Sequence, residues 1–155
     1  MGFELFPKRS GEPRFFFSQK EKEQIEQAIR TLEEKTSAEL RVHVESRKKK
    51  IELMVQAREA FERLGMTQTN HRNGVLFFIC SDSREFVILG DTLIDKEVPK
   101  DFWSETASQT VELFRQGKML EGVTQTIFKI GELLKDYFPY HFDDKNELPD
   151  GISFN

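Results

Sequence analysis

Residues Val75-Leu76-Phe77-Phe78-Ile79-Cys80 form an uninterrupted apolar run bounded by a polar loop, Thr67–Arg72, and a turn, Ser81–Arg84. A strand that is apolar on both sides must be covered on both sides, which places it inside a sheet with helices above and below. The run is a strand's length, well short of the ~18–20 residues of a membrane span. A strand over Asn73–Ser81 is therefore the expected centre of the fold.

The flanking segments supply the layers. Ser18 with Glu21 reads as a capping box, and Ile25, Ala28, Ile29 and Leu32 keep helical spacing behind it. The remaining positions of that helix alternate Glu and Lys, the pattern of a solvated side. After Thr36-Ser37, Ala38–Glu45 alternates as a strand: Leu40, Val42 and Val44 point one way, Arg41, His43 and Glu45 the other. That alternation predicts one wet face, near a sheet edge. A basic turn, Ser46–Lys50, leads to a helix ending near Leu64, with Met54, Ala57, Phe61 and Leu64 as its stripe and Gly65 as its stop. Glu85–Gly90 returns as an antiparallel partner of the central strand, and Asp91–Pro99 reads as loop.

Two more helices follow. One starts at Pro99 or Asp101 with Trp103, Ala107, Val111 and Phe114 on one face and stops at Gly117. The other runs from about Met119 to Phe138, and its internal Gly122 and Gly131 predict close approach of a neighbour. The sum is an α/β fold, a three-layer α/β/α sandwich around a short mixed sheet with about four helices, two to a face. Strand 38–45, its crossover helix and strand 73–81 form a right-handed parallel unit. An irregular N-terminal arm, residues 1–17, carries Phe3, Phe6, Phe15, Phe16 and Phe17; the domain spans 18–138; an acidic tail, 139–155, includes Asp143, Asp144, Glu147 and Asp150.

Composition narrows function by exclusion. The chain has 155 residues, 37% hydrophobic and 32% charged, enough for one domain with a core. A net charge of −4 opposes broad binding to nucleic acid. The N-terminus lacks the apolar stretch and small-residue cleavage site of a secretory leader, so a soluble, cytoplasmic protein without membrane insertion is expected. A single cysteine forms no internal disulfide.

Familiar catalytic motifs fail on spacing. Cys80 and Arg84 are too close for a cysteine-phosphatase loop, and Cys80 reads as a small core residue. No glycine-rich phosphate loop and no Gly-x-Ser-x-Gly turn is present. His43, His71 and His141 have no helical pairing with one another and read as surface or packing residues. The calcium-loop-like start at Asp144 breaks down at Leu148-Pro149.

The topology nevertheless brings four segments to one end of the sheet. They carry Thr36, Ser37, Glu39, Thr69, Arg72, Asn73, Asp91, Asp95 and Asp101, hard oxygen donors suited to Ca²⁺ or Mg²⁺. The bland alternative makes them caps and loop hydrogen bonds, with Asp101 capping the third helix and Asp91 bracing a turn.

These stretches resemble the TPM domain family, named for a thylakoid lumen protein, a photosystem II repair protein and a nematode receptor modulator. The resemblance rests on Thr36-Ser37-Ala38-Glu39-Leu40-Arg41-Val42, Gly65-Met66-Thr67, Arg72-Asn73-Gly74-Val75-Leu76 and Phe86-Val87-Ile88-Leu89-Gly90-Asp91. Val98-Pro99, Asp101-Phe102-Trp103, and Phe114 with Gly117 and Glu121-Gly122 extend it over about 17–138. It implies an α/β/α sandwich and binding of divalent cations, calcium especially; the plant member has been described as an acid phosphatase. Many relatives carry a signal peptide and a transmembrane helix, whereas this chain is similar to the short soluble class. Ala38 stands where the family usually has glycine, and Leu93 where a glycine often follows Gly-Asp.

Glu39, Asp91 and Asp101 match acidic family positions and Asp95 neighbours them. The resemblance thus implies Asp91 and Asp95 as cation ligands, Glu39 or Asp101 completing the shell, and Thr36, Arg72 and Asn73 ordering the loops. Three functions stand open, in this order: a cation-dependent binding module that acts through another protein, such as a membrane-bound relative; a metal-assisted phosphatase with Arg72 holding the anion; and a purely structural domain.

Overall fold

The computed structural model describes residues 9–141 and 146–155. The arm's Phe3 and Phe6 and the tail's Asp143 and Asp144 lie outside the described residues. Helix α1 (Gln19–Lys35) opens on the expected capping box, with Ser18 Oγ accepting from Glu21 N and the Glu21 carboxylate accepting from Ser18 N. Strand β1 (Glu39–Glu45), helix α2 (Leu53–Arg63), strand β2 (Gly74–Cys80) and strand β3 (Glu85–Gly90) follow. Gly65 ends the α2 segment at φ 73°, a left-handed conformation that glycine reaches without a Cβ clash. Helices α3 (Thr92–Glu97), α4 (Lys100–Arg115) and α5 (Met119–Tyr137) and the two-residue strand β4 (Ser153–Phe154) complete the order.

The sheet runs β3-β2-β1-β4. β2 pairs parallel to β1, from Glu39↔Gly74 to Glu45↔Cys80, and antiparallel to β3. Every residue of β2 is buried, as its composition requires. One face packs Leu40, Val42, Val44, Val75, Phe77 and Ile79 against α1, α4 and α5. The other packs Leu76, Phe78 and Cys80 against Ala57, Ala60 and Phe61 of α2. The three layers are therefore unequal, with three long helices on one side and one on the other instead of the expected two to a face.

Both internal glycines of α5 mark close contacts. A Cβ on Gly122 would lie 2.5 Å from Phe114 Cε1, and one on Gly131 would lie 3.3 Å from Leu32 Cγ. Phe16 and Phe17 at the end of the arm are 1% and 2% exposed and sit in the larger core.

Three local expectations need correction. The stretch 91–99 is not all loop: Asp91 caps α3 through Thr92 N, and Ile94 and Val98 are buried one turn apart. Six residues are too few for a periodic pattern to show in the sequence. The polar side of β1 is not wet, for His43 and Glu45 are each 1% exposed. Nor is β1 at the edge, because β4 pairs beside it at His43↔Ser153 and Val44↔Phe154. The polar alternation marks a buried hydrogen-bond network instead of solvent. Finally, Met54 is 38% exposed, and α2 buries Gln56 and Ala60 with Ala57 and Phe61.

Candidate functional site

The start of β1 is fixed by the end of α5. Thr36 Oγ1 donates to Leu134 O at 3.2 Å and to Phe138 O, and it accepts from Ala38 N. Ala38, where glycine would be expected, is 1% exposed, so its methyl is absorbed in the core. Asn73 Nδ2 reaches Ser37 Oγ at 3.5 Å.

Glu39 is 4% exposed. Its Oε1 accepts from Glu147 N at 2.5 Å and Leu148 N at 2.9 Å, while its Oε2 is buried with no hydrogen-bond partner. Beside it opens a pocket of about 250 Å³ lined by Arg30, Glu33, Ser37, Glu39, Asn146 and Asp150. Glu33 carries a second oxygen, Oε2, that is buried and unpartnered. Burial pushes the Glu33 carboxyl up to about 10, and its hydrogen bond to Asp150 and the nearby Asp150 and Glu39 charges push the same way. Burial likewise raises Glu39 to about 7 against the pull of the Leu148 and Glu147 N–H groups. Burial beside another carboxyl group therefore favours the protonated form of Glu33.

The other half of the expected site lies across β2. Asp91, 4% exposed, takes both Arg72 contacts, Nε on Oδ2 and Nη2 on Oδ1, each at 2.8 Å. Its Oδ1 also accepts from Thr92 N at 2.7 Å. Arg72 adopts φ 50°, a left-handed conformation held by this bidentate pair and by Leu93 N donating to Arg72 O. Asp95 lines the same pocket with Arg58, Arg72 and Asp91. Burial raises its carboxyl, with Arg58 opposing and Asp91 adding to the rise. Two arginines face three acidic side chains here, Glu62, Asp91 and Asp95, so this pocket is partly neutralised from within.

Asp101 is exposed in the first turn of α4; the cap position belongs to Pro99, and Asp101 lines neither pocket. Asp91 does brace a helix start, as the bland reading had it. The structure thus brings Asp91 and Asp95 together, sets Glu39 apart and leaves Asp101 outside. Glu39 pairs with Gly74 on β2, and Asp91 follows the β3 residue opposite Val75. Two strand spacings, roughly 10 Å, therefore separate their backbones. Among the described residues, no three Asp, Glu, His or Cys side chains stand ready as a metal shell.

Glu33, Asn146 and Asp150 escaped the sequence reading. Glu33 looked like part of a solvated Glu/Lys side, although it lies four residues after Ile29 and so on the buried stripe. Asp150 carried no such signal.

A third polar cluster lies on the α2 side of β1. His43 Nδ1 meets Ser153 Oγ at 2.6 Å, and His43 Nε2 meets Glu45 Oε1 at 2.8 Å. Glu45 also accepts from Gln56 Nε2 at 2.6 Å and from Arg63 Nη2. Burial alone would raise Glu45, but the hydrogen bonds from His43 and Gln56 and the Arg63 charge hold it at about 2. These groups stand in the order Ser-His-Glu, yet Ser153 belongs to β4 and the network clamps that strand onto β1.

No helix among the described residues is long and apolar enough to cross a membrane. No curated protein matches the chain. Among solved structures it is similar to the BA42 protein from the psychrophilic bacterium Bizionia argentinensis, an NMR structure. The two share 36% sequence identity, with 94% of this chain and 100% of that one covered and a TM-score of 0.86. A model of the TPM domain matches residues 13–133. The chain belongs to the TPM domain family.

Proposed function

We propose that this TPM domain is a divalent-cation-binding module whose cation enters the pocket at the start of β1. The observation that carries the reading is Glu39 Oε2: a carboxylate oxygen on a 4% exposed residue, unpartnered, in a pocket with three further carboxyl groups, Glu33, Glu34 and Asp150. An ionised carboxylate is costly to bury unpaired, and a hard cation is the partner that would offset that cost. Glu39 would be the carboxylate that meets the ion, while Thr36 fixes the start of β1. The pocket of Asp91 and Asp95 is the weaker host, because Arg72 and Thr92 already take both Asp91 oxygens.

Thermal unfolding of chelator-stripped protein with added Ca²⁺ or Mg²⁺ tests this. Cation at 100 times its dissociation constant should stabilise the wild type by about 2.7 kcal/mol. Asp91→Asn should keep that response and Glu39→Gln should lose it. A flat titration in the wild type, or a response lost in Asp91→Asn and kept in Glu39→Gln, defeats the assignment.

A further inference from the structure

The pocket beside Glu39 offers more than one oxygen. At about 250 Å³ it has room for a chain of linked atoms as well as a bare ion. Its walls carry four carboxyl groups, Glu33, Glu34, Glu39 and Asp150, against one cationic side chain, Arg30. The field inside therefore favours positive charge. Glu39 Oε2 is the buried focus of that field, on a 4% exposed residue and without a hydrogen-bond partner. Oε1 of the same carboxylate is already spent on Glu147 N and Leu148 N. Asn146 Nδ2 donates to Asp150 Oδ1 at 2.9 Å, which leaves the amide oxygen of Asn146 to accept. Tyr140, 46% exposed, adds an aromatic ring to the lining.

These features select among organic cations. A guanidinium grips a carboxylate by a planar fork on both oxygens, and Glu39 has only one oxygen left. A quaternary ammonium has no N–H to give that oxygen. A primary ammonium is a compact charge with three rotatable donors and needs only single acceptors. One donor suits Glu39 Oε2, a second suits the Asn146 oxygen, and the third stays in water. An alkyl stem behind the charge covers the Tyr140 ring, as such amphipathic chains do. We propose that this pocket binds a primary alkylammonium group, the chemistry of a lysine side chain or a free alkylamine, with Glu39 Oε2 as its anchor. Hydrogen bonds hold the group, so no closed shell of oxygens is required. The inference shares the Glu39 oxygen with the cation reading above, so the two ligands exclude one another, and it stands in the absence of any metal.

The test is an NMR titration of the full chain, in chelator and physiological salt, with butylammonium, butylguanidinium and tetramethylammonium chlorides. The reporting amides are Ser37 and Glu39, at the pocket, and Leu148, bonded to Glu39. Butylammonium should shift all three saturably, butylguanidinium should bind at least about tenfold more weakly, and tetramethylammonium should leave them in place. Glu39→Gln should weaken butylammonium by at least about tenfold. Tyr140→Ala, at an exposed position, should weaken it about two- to fivefold and serves if Glu39→Gln fails to fold. A peptide with one lysine, set beside its Nε-acetylated form, separates the sources. Tighter binding than butylammonium, lost on acetylation, supports a lysine of a partner protein; binding no tighter supports a free alkylamine. Equal shifts with tetramethylammonium, or wild-type affinity in both variants, reduce the effect to diffuse attraction and overturn the inference. A flat butylammonium titration beside a calcium response overturns it and leaves the cation reading standing. Saturable butylammonium binding without any calcium or magnesium response does the reverse.

Discussion

At the scale of single residues, three carboxyl groups, Glu39 and Glu45 buried and Glu33 half-buried, titrate in opposite directions because their partners differ. Glu45 has donors on both oxygens and a nearby Arg63, and stays ionised down to about 2. Its folded value lies below the ordinary glutamate value, so its contribution is present above pH ~4.5 and is lost as pH falls toward 2. Glu39 and Glu33 lie above that value, at about 7 and about 10. Their contribution is complete below pH ~4.5 and is lost as pH rises, through 7 for Glu39 and on toward 10 for Glu33. In chelator, the urea midpoint should therefore fall between pH 5 and pH 8, and Glu39→Gln should be the more stable protein at pH 8 by about 2–3 kcal/mol. Saturating calcium should reverse that order. Cys80 shows burial without partners: its thiol is pushed up to about 12, chiefly by desolvation. It should resist disulfide reagents in the native state and react on unfolding.

At the scale of elements, α5 shows how a sequence oddity becomes a packing contact. Gly122 is needed because the Phe114 ring, fully buried, occupies the space a Cβ would take. Gly122→Ala gains up to about 1 kcal/mol of helix propensity but pushes a core aromatic aside, at about 1–3 kcal/mol. The net expectation is a lower urea midpoint at unchanged m-value. Phe114→Leu in the same background should recover part of it by making room. The β4 element depends on its polar clamp. Ser153→Ala removes the hydroxyl that meets His43 Nδ1 and leaves a buried ring nitrogen without that partner, at a cost of about 1–2 kcal/mol. Exchange at Asn155 should quicken while β2 amides keep their protection.

At the scale of the whole molecule, the fold was legible and the site was legible only in part. Layers, strand order around β2, the capping box and the glycine contacts follow from local signals: an apolar run, a 3.6-residue stripe, a spacing of Ser and Glu. The convergence of Glu39, Asp91 and Asp95 at one sheet end also follows from strand order. What strand order does not give is which of them meet. Glu39 and Asp91 are two strands apart, and Arg72, a loop residue in a left-handed turn, decides that Asp91 is neutralised.

The sequence by itself determined the sandwich, because hydrophobic periodicity acts over a few residues and burial follows it. Only the tertiary structure decided that His43 and Glu45 are interior and that Glu33 and Asp150 line one pocket with Glu39. It alone decided that residues 153 and 154 complete the sheet. The reason is that these facts depend on contacts across 100 or more residues of chain, as between His43 and Ser153 or Glu39 and Leu148. No local pattern encodes a partner at that separation; a polar side chain reads as solvated until another part of the fold arrives to cover it.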